Sequence, residues 1–275
     1  ARCFTPGQFY RLQNFETLAP KQGDTLLQME ALAVMAIPVE GQPDQLRFLI
    51  ERKSVNAVLA CLLQPNEPIA LMGPSGVKHQ LPKTLSTVAV MGGLMGLCYV
   101  LSSAKAYQQA GHTVLYVGTL PQSWQAIAST YLSSLISDWS LTDGNTLEAV
   151  DAYDSQAPSK AVRLSSASQV FVFGDGDDLR SLNAYRHQKH SVFHAEAQWV
   201  ASVYGPMQCM LKGVCAQCLQ WQIDPETGQR TKAVYACSWH HQPMDIIDLE
   251  HLDERGAHHR MQHTLTTQWL RYRIS

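Results

Sequence analysis

The sequence has no excess of charge of either sign and no long apolar run. Its 21 Lys and Arg residues nearly balance its 23 Asp and Glu residues, which gives a formal net charge of −2. It therefore lacks the basic surface with which proteins bind nucleic acid or acidic membranes. The longest apolar candidate, residues 88–101, is shorter than a membrane-spanning helix and rich in glycine. We expect neither nucleic acid nor a membrane among the partners of this chain.

Disorder is excluded by the same composition. Charged residues make up 16% and hydrophobic residues 45% of the 275 residues, enough for a well-buried core in two domains or one large one. The sequence starts with Ala1-Arg2-Cys3-Phe4, without an initiator Met or a signal-peptide pattern. We expect it to belong to a longer polypeptide of the cytoplasm.

A disulfide framework is not expected either. The chain has seven cysteines, an odd number, and is larger than the small secreted domains that disulfides stabilise. Cys3, Cys61 and Cys98 stand apart and are predicted to be small apolar residues. The other four are clustered: Cys209, Cys215, Cys218 and Cys237. This clustering predicts four thiolate ligands around one metal centre.

The spacing of these ligands leaves two kinds of centre open. The C-x5-C-x2-C run from Cys209 to Cys218 is one residue longer than the plant-type [2Fe–2S] pattern, and Cys237 follows after eighteen residues. Zinc ribbons more often carry two C-x2-C pairs, and this chain has one. The pattern favours a [2Fe–2S] cluster. The alternative is zinc, with His240 or His241 able to replace one cysteine.

The pattern of apolar residues divides the chain into three parts. Residues 1–82 are predicted to form a small β-barrel from short strands broken by turns. Its strands are predicted at 8–13, 30–39, 46–51 and 69–72, and a helix at 54–63. Residues 83–200 are predicted to form a parallel α/β domain of nucleotide-binding type, because strands alternate with helices. These strands are predicted at 88–91, 112–117 and 169–173, and the helices at 97–110, at 124–137 and from 179.

The third part, residues 201–275, is predicted to be a cysteine module with a terminal helix. Two hairpin strands are predicted at 218–223 and 233–236, and the helix at 260–272. The apolar residues of this helix recur at helical spacing: Met261, Leu265, Trp269 and Tyr272. We expect them to pack onto the body of the protein.

Two strand-to-helix turns are candidate nucleotide sites. The first contains Gly92, Gly93 and Gly96, and the second contains Gly174 and Asp175. Backbone amides at such a helix N-terminus can hold a pyrophosphate, and ligands bind at the carboxyl ends of parallel strands. The alternatives are a tight turn for the first and a capped helix start for the second.

The first predicted strand carries Tyr10, which could stack on a ring, and Arg11, which could pair with a phosphate. The alternative is a half-buried Tyr and an exposed Arg that bind no ligand, and the residues alone favour it.

Together these parts resemble the ferredoxin–NADP reductase superfamily, in the branch of the dihydroorotate dehydrogenase electron-transfer subunit. The resemblance is closest to the C-terminal unit of bacterial FAD-dependent oxidoreductases that are fused to a module similar to the glutamate synthase small subunit. The motifs that carry it are residues 6–16 (PGQFYRLQNFE), 72–76 (MGPSG), 206–209 (PMQC), 215–220 (CAQCLQ) and 224–228 (DPETG).

The resemblance implies an FAD-dependent NAD(P)H oxidoreductase that acts as part of a larger enzyme. FAD would be bound by the barrel, through Tyr10, Arg11, Leu12, Gly73 and Gly76. NAD(P) would be bound at the two glycine turns, and the [2Fe–2S] cluster at the four clustered cysteines. Electrons would pass from NAD(P)H through FAD and the cluster to a redox module of glutamate-synthase-small-subunit type. No residue is expected to act as a catalytic acid, base or nucleophile.

The sequence departs from this family at two points and in its extent. Residues 29–33 (MEALA) contain neither the Arg nor the Ser of the family's flavin-binding Arg-x-Tyr/Phe-Ser stretch, and Leu94 stands where a third consecutive glycine is expected. The first strands of the barrel are missing, so an incomplete barrel is expected. These departures favour a second hypothesis, a non-catalytic assembly domain with structural zinc at the same cysteines.

Overall fold

The structure is a computed structural model that describes residues 5, 7–52, 54–76, 80–203 and 215–274. Its strands are β1 (Phe9–Asn14), β2 (Lys21–Gln22), β3 (Thr25–Leu26), β4 (Leu32–Met35), β5 (Ile37–Val39), β6 (Gln42–Arg47), β7 (Ile69–Ser75), β8 (Thr87–Gly92), β9 (Thr113–Thr119), β10 (Asp138–Thr142), β11 (Ala167–Phe173), β12 (Gln198–Ser202), β13 (Leu219–Ile223), β14 (Arg230–Tyr235) and β15 (His241–Pro243). Its α-helices are α1 (Val55–Ala60), α2 (Leu94–Gln109), α3 (Gln122–Ser133), α4 (Thr146–Ser155), α5 (Gly176–Arg186) and α6 (Leu249–Ile274). Within these residues, no helix combines the length and apolarity needed to cross a bilayer.

A six-stranded sheet forms the centre of the molecule, in the order β10-β9-β8-β11-β12-β15. The first five strands are parallel, and β15 is antiparallel to β12. Strand β8 lies in the middle, and its residues 88–91 are fully buried. Such a strand reads as a continuous apolar run because helices cover both faces of the sheet. The predicted α/β architecture is confirmed.

The two faces of this sheet have separate cores. Ala89 and Met91 of β8 point to the face that α4 and α5 cover. Val88 and Val90 point to the opposite face, against α2 and α3. The alternation follows from the period of two residues in a strand. The predicted boundary at residue 200 falls inside β12, and β15 of the predicted third part belongs to the same sheet. The division into three domains stays a prediction.

The N-terminal part forms antiparallel sheets. Strands β4, β1 and β7 pair in that order, and β2–β3 and β5–β6 form two separate hairpins. The prediction of a strand over residues 46–51 was wrong, because β6 starts at Gln42 and ends at Arg47. The reason is a tight two-residue turn: Gly41 has a φ of +72°, which lets the chain reverse directly after β5.

The terminal helix is longer than predicted, and its apolar stripe is exposed. It starts at Leu249, and its first turns hold it to the body, where Leu252 packs against the core and Arg255 donates to the Leu219 carbonyl at 2.9 Å. The predicted packing of the stripe was wrong. Its exposed fractions are 70% for Met261, 62% for Leu265, 41% for Trp269 and 79% for Tyr272. Helical spacing identifies a common face, but it does not supply a neighbouring element to cover that face.

A buried amide connects β1 to the chain that leads into β4. The Asn14 side chain is 4% exposed, accepts from the Met29 N–H at 3.0 Å and donates to the Leu27 carbonyl at 3.3 Å. Asn14→Ala leaves both backbone groups buried and unsatisfied, so we expect the free energy of unfolding to fall by about 2–3 kcal/mol in urea titrations. Gln13→Ala, on the other face of β1, is the control, with an expected change below about 0.5 kcal/mol. Equal losses in the two variants would contradict this role.

Candidate functional site

A cleft of about 430 Å³ lies at the carboxyl ends of the parallel strands. The loops that follow β8, β9, β10 and β11 line it, together with Ser202 at the end of β12. In sequence order the sheet grows from β8 towards β9 and β10 on one side, and towards β11 and β12 on the other. The ends of β8 and β11 therefore meet at the point where the strand order reverses, which is where open α/β sheets bind ligands.

The first glycine turn is shaped by protein contacts. Gly92 has a φ of +124°, and a Cβ atom there would overlap the carbonyl oxygen of Phe173. A Cβ atom at Gly96 would lie 3.2 Å from the Met91 carbonyl oxygen. The tight turn between β8 and α2 thus accounts for both glycines. A Cβ atom at Gly93 would lie 3.3 Å from the Thr119 carbonyl oxygen, and Gly93 also lines the cleft at the N-cap of α2, where no side chain caps the helix.

Tyr116 supports this turn from within the sheet, and it was not among the predicted site residues. Its hydroxyl donates to the carbonyl oxygens of Gly92 at 2.8 Å and Gly93 at 3.0 Å. Burial raises the pKa of Tyr116 well above its ordinary value, so the hydroxyl keeps its proton. Since Tyr116 reads in sequence as another apolar residue of β9, only the fold shows that its hydroxyl faces the turn.

The second turn is a capped helix start. The Asp175 carboxylate accepts from the backbone N–H groups of Asp177 and Asp178, both at 3.0 Å, and so caps α5. A Cβ atom at Gly174 would lie 2.5 Å from the Cβ of Asp178. Asp178 in turn accepts from the Thr146 hydroxyl at 2.6 Å. Gly174 and Asp175 both line the cleft, and their role in binding a nucleotide stays a prediction.

The cleft has an apolar wall and an acidic wall. The apolar residues are Leu94, Met95, Leu120, Pro121 and Phe173. The acidic residues are Glu51, Asp143, Asp175 and Asp178. The described lining contains no Lys, Arg or His. The cleft therefore offers an apolar surface for a ring and, at α2, an uncapped helix N-terminus for an anion.

The residues predicted to contact flavin lie on two faces of β1. Tyr10 and Leu12 are buried, and the Tyr10 ring meets Phe48 edge-to-face at 6.0 Å between centroids. A Cβ atom at Gly73 would lie 2.8 Å from the Tyr10 ring. Arg11 is half-buried on the opposite face of β1, paired in register with Ala33. The structure thus places Arg11 on the face opposite to Tyr10 and Leu12, whereas Gly76 packs beside Phe9 on the Arg11 face.

His240 connects the cysteine hairpin to the N-terminal sheet. It is fully buried, and its Nε2 lies 2.9 Å from the Gly7 carbonyl oxygen. Its ring meets Phe9 edge-to-face at 5.6 Å. A Cβ atom at Gly76 would lie 2.5 Å from Cε1 of His240, so Gly76 is where this ring packs. With Nε2 committed to Gly7, His240 is a structural residue in this fold.

The cysteine module is built on the hairpin β13–β14. The Ala236 N–H donates to the Cys218 carbonyl at 2.9 Å, which brings Cys218 and Cys237 to the same end of the hairpin. Both are 1% exposed and pack against Phe9, while Cys215 is half-buried. Asp224 accepts from two backbone N–H groups in the turn of the hairpin, where a turn was predicted.

The fourth predicted ligand, Cys209, and the motif at 206–208 lie outside the described residues. Among the residues that the structure does describe, no group of three or more His, Cys, Asp or Glu side chains is arranged to hold a metal ion. The metal centre at Cys209, Cys215, Cys218 and Cys237 therefore stays a prediction.

Comparison with known sequences gives one distant relative. No family model matches the chain. An uncharacterized protein of Rickettsia prowazekii (strain Madrid E) is 22% identical over 268 residues, which are 97% of this chain and 30% of that protein. The chain thus spans less than a third of the length of this relative.

Comparison with solved structures defines the fold. The NADH-dependent reduced ferredoxin–NADP oxidoreductase, studied for flavin-based electron bifurcation, matches with a TM-score of 0.67 and 15% identity over 97% of this chain and 88% of that chain. The ferredoxin reductase of carbazole 1,9a-dioxygenase, in its FAD apo form, covers 70% of this chain and 58% of its own, with 18% identity and a TM-score of 0.43, which is too low to support an inference. The chain has a fold of the ferredoxin–NADP reductase type, as the sequence resemblance predicted.

Burial of His240 predicts a pH-dependent stability. Burial lowers the pKa of His240 from 6.5 to about 4, so the unfolded chain takes up this proton first as the pH falls. The contribution of neutral, buried His240 to the free energy of unfolding is therefore complete above about pH 6.5, and it is lost as the pH falls towards about 4. We expect the free energy of unfolding of the wild type to fall between about pH 7 and pH 4.5. In His240→Gln this fall should be smaller by about 2 kcal/mol, as measured by urea titrations at each pH. The exposed His194→Gln should keep the wild-type dependence, and a wild-type dependence in His240→Gln would refute the assignment.

Proposed function

We propose that this chain is the electron-transfer unit of a flavin-dependent NAD(P)H oxidoreductase. The observation that carries the proposal is the cleft at the switch point of the sheet, where an uncapped helix N-terminus faces an apolar wall. The fold supports it, because the matching oxidoreductase is NADH-dependent and was studied for flavin-based electron bifurcation. Because the chain spans less than a third of the length of its relative, we propose that it works within a larger enzyme.

In this proposal the cleft binds NAD(P)H. The first turn of α2 has backbone N–H groups without intrahelical partners, and Gly93, which lines the cleft there, has no side chain to shield them from a pyrophosphate. Leu94 and Met95 line the cleft. We assign them, together with Phe173, to the apolar surface against which a ring of the dinucleotide packs.

FAD and a [2Fe–2S] cluster would supply the redox chemistry, by accepting a hydride and passing its electrons on singly. The buried face of β1 does not fit a flavin, because Tyr10, Leu12 and Gly73 pack against protein there. The opposite face carries Arg11, whose guanidinium suits a phosphate, and Phe9, which contacts Cys218 and Cys237. We therefore assign any flavin contact of β1 to the Arg11 face, next to the cysteine module.

The cysteines are the proposed ligands of the cluster. A donor set made only of thiolates suits iron–sulfur and zinc sites alike. Cys218 and Cys237 meet at one end of the hairpin, as two ligands of one centre must. We propose that Cys209 and Cys215 complete the set, and that the electrons leave for a redox module of glutamate-synthase-small-subunit type.

A second candidate is a non-catalytic assembly domain with structural zinc. The observation that favours it is that packing alone accounts for Gly76, Gly92 and Gly96, without a ligand. In that case the cleft is not used, and the hairpin holds zinc only to stabilise the fold.

The cofactor content of the full chain, purified without oxygen, separates the two candidates. Electron transfer predicts flavin absorbance at about one flavin per chain and about two irons per chain. These would be measured by visible absorption and elemental analysis. A colourless protein with about one zinc per chain would support the assembly domain and rule out electron transfer.

Cys218→Ala tests the ligand assignment. We expect loss of the bound metal and partial unfolding of the C-terminal part, because metal binding and folding are coupled in small modules of this kind. Elemental analysis and the thermal melt of the purified variant measure the two effects. Cys61→Ala, at an exposed cysteine after α1, is the matched control and should retain metal and stability. Unchanged metal content in Cys218→Ala would refute the assignment.

A further inference from the structure

The apolar stripe of α6 is large enough to act as an interface. Its residues follow one another at intervals of four, four and three positions, which places them on one side of the helix: Met261, Leu265, Trp269 and Tyr272. With exposed fractions between 41% and 79%, they leave about 500 Å² of side chain in solvent. Monomeric proteins rarely expose a much larger contiguous patch, and patches of this size mark sites of interaction. We therefore expect a partner to cover the stripe.

The same side of the helix carries charge of opposite sign at its two ends. Glu254 stands seven residues before Met261, so it lies on the side of the stripe, and it is exposed. Beyond this residue the sequence has no Asp or Glu, and Arg271 and Arg273 stand on either side of Tyr272. This side of α6 is therefore acidic near its attached first turns, apolar in the middle and basic at its end.

This order of charges complements itself in one orientation. A parallel pair of such helices would set acidic end against acidic end, whereas an antiparallel pair sets each acidic end beside the basic end of the other helix. In an antiparallel pair centred on Leu265, position 271 of one helix lies level with position 259 of the other, roughly 8 Å along the axis from Glu254. The long side chains of Arg271 and Glu254 can together span that distance. Since a two-fold axis repeats every contact, two such ion pairs would form.

We propose that the stripe pairs with the stripe of a second copy of this chain, with the two α6 helices antiparallel about a two-fold axis. The pair would bury about 1,000 Å² of apolar side chain, which is near the lower limit for a specific interface. The dimer is therefore a weak one that forms at micromolar concentration. This inference does not depend on the proposed function, because it uses no cofactor and no residue of the cleft.

A second copy fits the stripe better than a lipid surface does. Helices that lie on anionic membranes carry basic residues around their apolar face. In α6 the carboxylate of Glu254 lies on the side of the stripe itself, and an anionic surface would repel it. A second copy supplies an apolar stripe of the same length and the opposite charge at each end.

Sedimentation equilibrium of the purified full chain, over a range of concentrations, tests the pairing. We expect the wild type to dimerise with a dissociation constant on the order of 10 µM. Leu265→Glu places two carboxylates at the centre of the pair and should weaken it at least about 100-fold. Ile127→Glu is the matched control, because Ile127 is a 52% exposed apolar residue of α3, and this variant should dimerise like the wild type. Both substituted positions are exposed, so the thermal melts of the two variants should match that of the wild type.

Two results of this experiment would overturn the proposal. One is a wild type that stays monomeric far above the expected dissociation constant. If that monomer binds vesicles of phosphatidylserine, the stripe belongs to a membrane surface instead. The other is equal dimerisation of Leu265→Glu and Ile127→Glu, which would place the dimer interface elsewhere on the molecule.

An exchange of charges tests the antiparallel orientation. Arg271→Glu and Glu254→Arg should each weaken the dimer about fivefold, because each variant replaces two ion pairs by two contacts between like charges. The double variant Arg271→Glu/Glu254→Arg restores both pairs with exchanged signs and should regain the affinity of the wild type. Losses in the single variants without recovery in the double variant would contradict the antiparallel arrangement.

Discussion

The close contact between the ends of β8 and β11 determines the geometry of the cleft. The chain can turn into α2 at that point only because Gly92 has no side chain to meet the Phe173 carbonyl. Tyr116 then fixes the carbonyl groups of the turn from within the sheet. The N-terminus of α2 is consequently held at the mouth of the cleft, next to the end of β11. Without this contact, the apolar wall and the N-terminus of α2 would not face the same space.

A second contact joins two parts of the molecule that are far apart in sequence. His240 reaches the Gly7 carbonyl and packs against Phe9, and Gly76 provides the space for its ring. Phe9 also contacts Cys218 and Cys237. The cysteine hairpin is thereby attached to β1, on the face that carries Arg11. This gives a physical reason for expecting a redox centre at the cysteines to lie near a flavin bound on that face.

Much of the fold could be predicted from the sequence, because buried parallel strands have a simple pattern. The run at 88–91 identified β8, and the resemblance identified the fold type. By contrast, β10 and β12 were not predicted, because each is a short segment that mixes polar and aromatic residues and so lacks a continuous apolar run. The site was harder to predict. A glycine that avoids a carbonyl, as Gly92 does, and a glycine that admits a ligand have the same signature in sequence. The role of Tyr116 depends on neighbours that only the tertiary structure brings together.

The contact between Gly7 and His240 also has a consequence for how the chain folds. The two residues are 233 positions apart, so their hydrogen bond closes a loop that contains most of the chain. The entropy lost on closing a loop grows with its length, and contacts of such long range form after local ones have reduced the search. The space beside Gly76 therefore stays unfilled until the segment after the cysteine hairpin arrives. The N-terminal sheet therefore reaches its final packing only after the segment that carries His240 has been synthesised.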